Sequence, residues 1–425
     1  MHHVDKVPLN IWLIQIGEPL PVDGEGIRLF RTGILAGMLA ERGHDVTWWA
    51  STFDHFNRNQ RYYRDTEVVV REGLRLVLLH GPGYGHNVSL KRAVDHGIVT
   101  RRFHKRAYVE KKPDVILCSY PTVGLSLAAV RYGERMKVPV VLDARDMWPD
   151  TFLNIFPRRM RPVAGIFIFP VKRRAKKAFR GAHAVTGMTS SFVDWGLHYA
   201  GRKKTPRDKP FPFGYLEGEP ERSMLERAEA YWDGLGLKED DFIVCFFGTI
   251  GKQFNLEEVI GAAAALEKRN GNLTFVLCGD GEKLRYYRKM AQGCRSVVFP
   301  GRVGRPEIWD LMRRACVGIA PYRESEDFTM SVPNKIVEYL SGGLPVLSNL
   351  EGETARLIQE NRCGTSYRRG DVPGLEKELE YLRDNRPVLA ELSRNALRLF
   401  KGRFTAEKVY GEMTEYLQSI ARHGK

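Results

Sequence analysis

Residues 331–346 read Ser-Val-Pro-Asn-Lys-Ile-Val-Glu-Tyr-Leu-Ser-Gly-Gly-Leu-Pro-Val. Pro333 stands where a helix begins, because its fixed φ suits the first turn and its missing N–H has no partner to lose there. Gly342 and Gly343 stop that helix, and the apolar run from Pro345 to Ser348 resumes as a strand. Within the helix Asn334 and Glu338 are four apart and Lys335 and Glu338 three apart, so the three share a face. The helix start offers a partial positive charge to a phosphate, and Glu338, one turn further in, can accept hydrogen bonds from ribose hydroxyls. A solvated Lys335–Glu338 ion pair is the alternative reading of the same spacing.

Outward from this segment the chain repeats one rhythm, an apolar strand followed by a helix, as parallel βαβ units do. In the second half the strands fall at 242–247, 273–278, 297–299, 317–320 and 345–348. In the first half they fall at 11–16, 46–50, 76–79, 115–119, 138–142 and 182–186, with a helix over 28–42 closed by Gly43-His44. A polar, proline-containing stretch at 201–212 separates the two series. The expected organisation is therefore α/β, with two Rossmann-like lobes facing across a cleft: one lobe over 1–205, a second over 206–402, and an amphipathic helix over 403–425 available to cross back to the first. In such sheets ligands bind beyond the carboxyl ends of the strands. A chain of 425 residues exceeds what one core normally spans.

Two loops sit at those ends. The first, containing Gly24, Glu25 and Gly26, follows the first strand, as a phosphate-binding turn does; its spacing is not that of a dinucleotide fingerprint, which speaks against a dehydrogenase. The second, Gly248-Thr249-Ile250-Gly251-Lys252, follows the first strand of the second lobe and carries a lysine that can neutralise a diphosphate. It lacks P-loop spacing. The six cysteines are scattered, no pair has metal-ligand spacing, and they read as reduced core thiols. The first residues lack a signal-peptide pattern and no apolar stretch reaches the roughly 20 residues of a membrane span, so a cytoplasmic location is expected.

A formal charge of +15 points to an anionic partner. Much of it is concentrated. Between Asp150 and Asp194 there is no acidic residue, while Arg158, Arg159, Arg161, Lys172, Arg173, Arg174, Lys176, Lys177 and Arg180 bracket the apolar run 163–171. This is the composition of an interfacial anchor on an anionic leaflet. A solvated basic face beside one buried strand is the bland alternative. Nucleic acid is disfavoured because no recognised binding module accompanies the charge.

Taken together, these segments resemble the family 4 glycosyltransferases of the GT-B fold, in the branch that builds bacterial O-antigen, capsule or exopolysaccharide. Residues 248–256 resemble that family's G-x-x-G-K-x-x-N-L element, 275–281 its strand ending in G-D-G, 299–303 its G-R-V turn, 316–321 the strand before its donor loop, and 333–346 its P-[SN]-K-x-x-E-Y-x-x-x-G-x-P-V signature; 142–150 resemble its D-x-R-D-x-W-P segment. The resemblance implies a retaining enzyme that moves a sugar from a nucleotide diphosphate donor, UDP being favoured and the sugar N-acetylated or deoxy, to a polyprenyl-diphosphate-linked saccharide at the inner face of the cell membrane. It implies no cofactor and no metal. Donor-side residues would be Gly24, Glu25, Gly26, Gly248, Gly251, Lys252, Arg302, Val332, Asn334, Lys335 and Glu338, with Lys252 on the diphosphate. Asp143, Arg145 and Asp146 would serve the acceptor side. Three positions depart from the family pattern: Met330 stands eight before Glu338 where a second glutamate is usual, Thr249 where many relatives have arginine, and Arg145 where many carry a histidine. Competing readings are a nucleotide-sugar epimerase of the same fold and a basic nucleic-acid-binding protein.

Overall fold

A computed structural model describes residues 8–24, 27–86, 88–153, 156–237, 241–269 and 272–423. Glu25 and Gly26, expected at the donor, and the side chain of Arg158 lie outside the described residues. The chain divides into two compact units, one formed by 1–212 with 407–425 and the other by 213–406.

In the first unit the described strands form an eight-stranded sheet in the order Lys209–Pro210, Ala184–Gly187, Val140–Ala144, Val115–Tyr120, Asn10–Ile14, Asp45–Ser51, Leu74–Leu79 and Thr66–Arg71. Neighbours pair in parallel except for Thr66–Arg71, which runs antiparallel to Leu74–Leu79. That edge strand, Thr-Glu-Val-Val-Val-Arg, alternates half-buried and exposed positions, whereas Asn10–Ile14 and Val115–Tyr120 are buried throughout, as strands covered on both faces must be. Four aromatic rings, Trp12, Trp49, Phe103 and Tyr132, pack edge-on or stacked beside the central strand. The helix Ala406–His423 completes this unit: Tyr416 packs on Phe211 and donates to the Arg207 carbonyl (2.8 Å), and Gln418 meets His44 at 2.7 Å.

The second unit has its own six-stranded, all-parallel sheet, ordered Val297–Gly301, Leu273–Cys278, Phe242–Phe247, Val317–Ala320, Val346–Ser348 and Gly364–Ser366. Ranked by position in the chain, the strands of this sheet run 3-2-1-4-5-6, and the first sheet has the same order from Leu74–Leu79 through Ala184–Gly187. Each sheet therefore has a switch point where successive connections leave in opposite directions, and the loops at the carboxyl ends of the two flanking strands line a crevice there. In the second unit those strands are Phe242–Phe247 and Val317–Ala320, paired through Val244–Val317. In the first they are Asn10–Ile14 and Val115–Tyr120.

Candidate active site and basic helix

In the second unit, Phe242–Phe247 ends in Gly248, whose φ of +145° is open only to glycine. The loop then folds onto the turn after Leu273–Cys278: the Gly248 amide donates to the Cys278 carbonyl (3.1 Å) and the Ile250 amide to the Asp280 carbonyl (2.8 Å). Contact is so close that a Cβ on Gly279 would stand 1.8 Å from the Gly248 carbonyl oxygen. Gly251 is buried. Lys252, at the loop tip, is 76 % exposed and 3.5 Å from Glu282. Arg302 is exposed on the turn after Val297–Gly301.

The helix Asn334–Ser341 begins after Pro333, which sits at its cap in extended conformation, and supplies the other wall. Val332 is buried and Asn334 half-buried at its start, and Glu338 is buried with Tyr322 in its electrostatic field. The Tyr339 hydroxyl donates to the Ile319 carbonyl (2.9 Å), tying this helix to the strand Val317–Ala320. Lys335, expected at the donor, is placed in the interior instead. Its ammonium donates to the Phe247 carbonyl and lies 4.1 Å from the Phe246 ring centre, with Phe247 and Phe254 at 5.1 and 5.2 Å. A buried cation needs such partners. It holds the residue just before Gly248, so it shapes the loop rather than reaching past it. Met330 closes the short helix Glu326–Thr329.

The first unit places Asp143 and Arg145 in a buried ion cluster that the sequence did not announce. Asp143, with no exposed surface, accepts from Arg31 Nε and Nη2 (both 3.0 Å), Arg145 Nε (2.7 Å) and the Thr186 hydroxyl (2.9 Å). Arg145 also pairs with Glu18, which in turn accepts from the Thr32 amide and hydroxyl (both 2.9 Å). Burial alone would raise the Asp143 pKa, but the guanidiniums of Arg31 and Arg145 outweigh it and draw the carboxyl down to about 2. Burial works against the Arg145 charge, and Asp143 and Glu18 more than restore it, raising its pKa. The expectation that Asp143 faces an acceptor is thereby corrected: its oxygens are occupied and sealed, and it positions Arg145 and Arg31. Asp146 is half-buried and caps the Trp148 amide (2.9 Å). Gly24 is exposed, with φ +139°. Neither Glu18 nor Arg31 stood out in the sequence, because their partners lie 112 to 127 positions away.

The basic, apolar segment is a helix, Arg161–Gly181, rather than a strand. One side packs against the helices Val123–Met136 and Ser190–Ala200 through Ala164, Ile168, Ala175, Ala178 and Phe179. The outward side changes character along its length. Its first half shows Val163, Ile166, Phe167 and Phe169, the last three 71 %, 78 % and 63 % exposed. Its second half shows Arg173, Arg174, Lys176, Lys177 and Arg180. Arg159 is exposed just ahead of the helix and Arg161 half-buried at its start. Lys172 pairs with Asp150 (2.6 Å), which also accepts from Trp195 and Tyr199 (both 2.9 Å), so that lysine anchors the helix. Among the described residues no helix is long and apolar enough to cross a membrane, and no three His, Cys, Asp or Glu side chains are grouped as metal ligands.

The family described as "Glycosyl transferases group 1" matches residues 241–385, and the "Glycosyl transferase 4-like domain" matches 31–203. The chain belongs to the group 1, family 4-like glycosyltransferases of the GT-B fold. Over 208 residues it is 23 % identical to alpha-monoglucosyldiacylglycerol synthase of Acholeplasma laidlawii, a match that takes in 47 % of this chain and 49 % of that protein, so it spans about half the length of its curated relative. Two solved structures share the fold: HepE of Anabaena with UDP and glucose (16 % identity, TM-score 0.64, covering 97 % of this chain and 100 % of that one) and sucrose-phosphate synthase of Thermosynechococcus elongatus (14 %, TM-score 0.70, 97 % and 99 %).

Proposed function

We propose that this glycosyltransferase family member transfers a sugar, with retention of anomeric configuration, from a nucleoside diphosphate donor to a lipid-linked saccharide on an anionic membrane surface, in the assembly of a surface polysaccharide. The observation that carries the donor half is the second unit's switch point, where the Gly248–Gly251 loop and the start of the helix Asn334–Ser341 meet at the ends of paired strands. Backbone amides of a glycine loop and a helix start are the groups that receive a diphosphate. Negative charge grows on the leaving diphosphate in the transition state, so donors fixed before the reaction lower the barrier most. Lys252 is the mobile cation of the set and Glu338 the acceptor for ribose hydroxyls. HepE was crystallised with UDP and glucose, which supports UDP as the nucleotide.

The membrane half rests on the helix Arg161–Gly181. Apolar side chains at one end and cations at the other suit a helix whose first half enters the headgroup layer while the second half meets lipid phosphates. Each exposed cation near an anionic leaflet contributes about 1 kcal/mol, enough together for reversible docking. The matching relative is named as a glucosyldiacylglycerol synthase, a lipid product. We expect replacing Arg173, Arg174, Lys176 and Lys177 by glutamine to release the protein from phosphatidylglycerol vesicles in a sedimentation assay; undiminished binding would remove the membrane half. For the donor half, Glu338→Ala is expected to abolish transfer from UDP-sugars while UDP still protects the wild type against thermal unfolding. Wild-type transfer by Glu338→Ala would remove the donor assignment.

A further inference from the structure

Three crossover helices of the first unit, Leu90–Ala107, Val123–Met136 and Arg161–Gly181, lie side by side, the middle one packing on both others. Each joins two parallel strands of the sheet, so each runs back against the strands and has its first residues at their carboxyl edge. The outward side of Arg161–Gly181 passes from apolar to cationic away from that edge. Leu90–Ala107 repeats the sequence of surfaces. Leu90, Val94, Arg101 and Lys105 are spaced four, seven and four apart, which sets them on one stripe. Leu90 and Val94 are 86 % and 55 % exposed and the two cations are exposed, while Val99, Phe103 and Ala107 bury the opposite face. Val88, just ahead of the helix, is 61 % exposed.

The start of this helix is firmly held. Ser89 Oγ accepts from the Arg92 amide (3.2 Å), and Asp95, buried one turn later, accepts from the Gly83 amide (2.8 Å), which ties the first turns to the loop after Leu74–Leu79. Leu90 and Val94 are therefore presented outward by an ordered turn. Between the two outer helices the first half of Val123–Met136 is sunk, with Val123, Leu125 and Ala128 buried, and its cations Arg131 and Arg135 are exposed only in the second half, together with Glu134. Other cations of Leu90–Ala107 face carboxylates of the sheet edge: Arg102 pairs with Asp65 (2.8 Å) and Arg106 with Glu110 (2.5 Å). Two bands thus cross the layer, apolar at the carboxyl edge and cationic behind it. An anionic bilayer entered edge first offers the complementary order, hydrocarbon deepest and phosphates above. Val163 to Phe169 rises about 9 Å along the helix axis, within the depth that interfacial elements reach.

We propose that the first unit docks on an anionic membrane at two helix starts, Leu90–Val94 and Val163–Phe169, so that the carboxyl edge of its sheet, with Arg145 and Asp146, is turned toward the lipid surface. This second contact rests on the membrane reading above and adds an orientation to it. The test is co-sedimentation of the full chain with vesicles of phosphatidylglycerol and phosphatidylcholine in equal parts. Leu90→Ser/Val94→Ser should weaken partitioning about tenfold or more. Arg101→Gln/Lys105→Gln should weaken it about fivefold or more at low salt, and the difference should close at about 1 M salt, where charges on the surface are screened. Val109→Ser is the control: that side chain is 77 % exposed just past the other end of the same helix, at the amino edge, and its loss should change nothing. All these side chains are exposed, so each variant should keep the wild-type melting temperature. Wild-type partitioning by Leu90→Ser/Val94→Ser would overturn the second contact while leaving the helix Arg161–Gly181 as the anchor. An equal loss in Val109→Ser would overturn the orientation. Failure of the wild type itself to sediment with the vesicles would instead remove the membrane reading, and this contact with it.

Discussion

At the carboxyl edge of the first sheet, beside its switch point, the loops are closed by side chains: Arg31, Asp143, Arg145 and Glu18 interlock, with Asp143 sealed from water. At the carboxyl edge of the second sheet the loops are closed by backbone, glycine lying on glycine, and Lys252 at the loop tip is exposed. Identical strand order thus leaves two different edges. A salt cluster fixes the direction of each charge and is undone by removing a single partner. A glycine turn lets backbone lie directly on backbone and is undone by adding a single methyl.

The largest break is expected from Asp143→Ala. It strands two buried guanidiniums, a loss of about 3–5 kcal/mol, read as a lower urea midpoint. A change under about 1 kcal/mol would mean that water replaces the carboxylate, and the cluster would not be the lock described. Next comes Gly279→Ala, whose Cβ meets the Gly248 carbonyl at 1.8 Å in a backbone of φ +138°. We expect a cost of about 3 kcal/mol together with weakened UDP binding; tight UDP binding by this variant would show that the loop tolerates rearrangement.

Acid separates the two edges more gently. The Asp143 carboxyl is held down at about 2 in the folded protein against 3.8 ordinarily. A depressed carboxylate pKa stabilises the fold above the ordinary value, and that stability is lost as pH falls through the folded one, here from about pH 4 to pH 2. The contribution is about 2 kcal/mol. Asp143→Asn should flatten that part of the stability profile of the first unit, and an unaltered acid limb would locate the lost protons elsewhere. Smallest for stability is Lys252→Ala, within about 0.5 kcal/mol of wild type, while transfer falls by about 10²–10³. Equal kcat in this variant would leave the diphosphate to the backbone alone.

What could be read in advance follows from how locally each feature is encoded. Phe242–Phe247, Leu273–Cys278 and Val317–Ala320 are continuous apolar runs that signal covered parallel strands, and the residues read from the sequence match the observed bounds. Thr66–Arg71 escaped notice because an edge strand with polar alternation, joined to its partner by Glu72 and Gly73, carries a weak signal. For the apolar run 163–171 both a membrane anchor and a buried strand stayed open. It folds as a helix with Pro170 inside it, and its buried stripe emerges only when the alanines at 175 and 178 are included. Lys335 was placed correctly on its helix and wrongly in reach, since helical spacing fixes a face but not what that face packs against. The Arg31–Asp143 pair lay beyond any local pattern.

The last helix of the first unit has a consequence for how the protein is made. Residues 407–423 close that unit through Tyr416 and Gln418, yet the ribosome reaches them only after all of 213–406 has emerged. The second unit is in this sense a guest inserted in the chain of the first, with every one of its strands already translated while its host still lacks a wall. Vectorial synthesis therefore finishes the second unit first and the first unit last, so the surface carrying the exposed phenylalanines belongs to a unit that is completed at the end of translation.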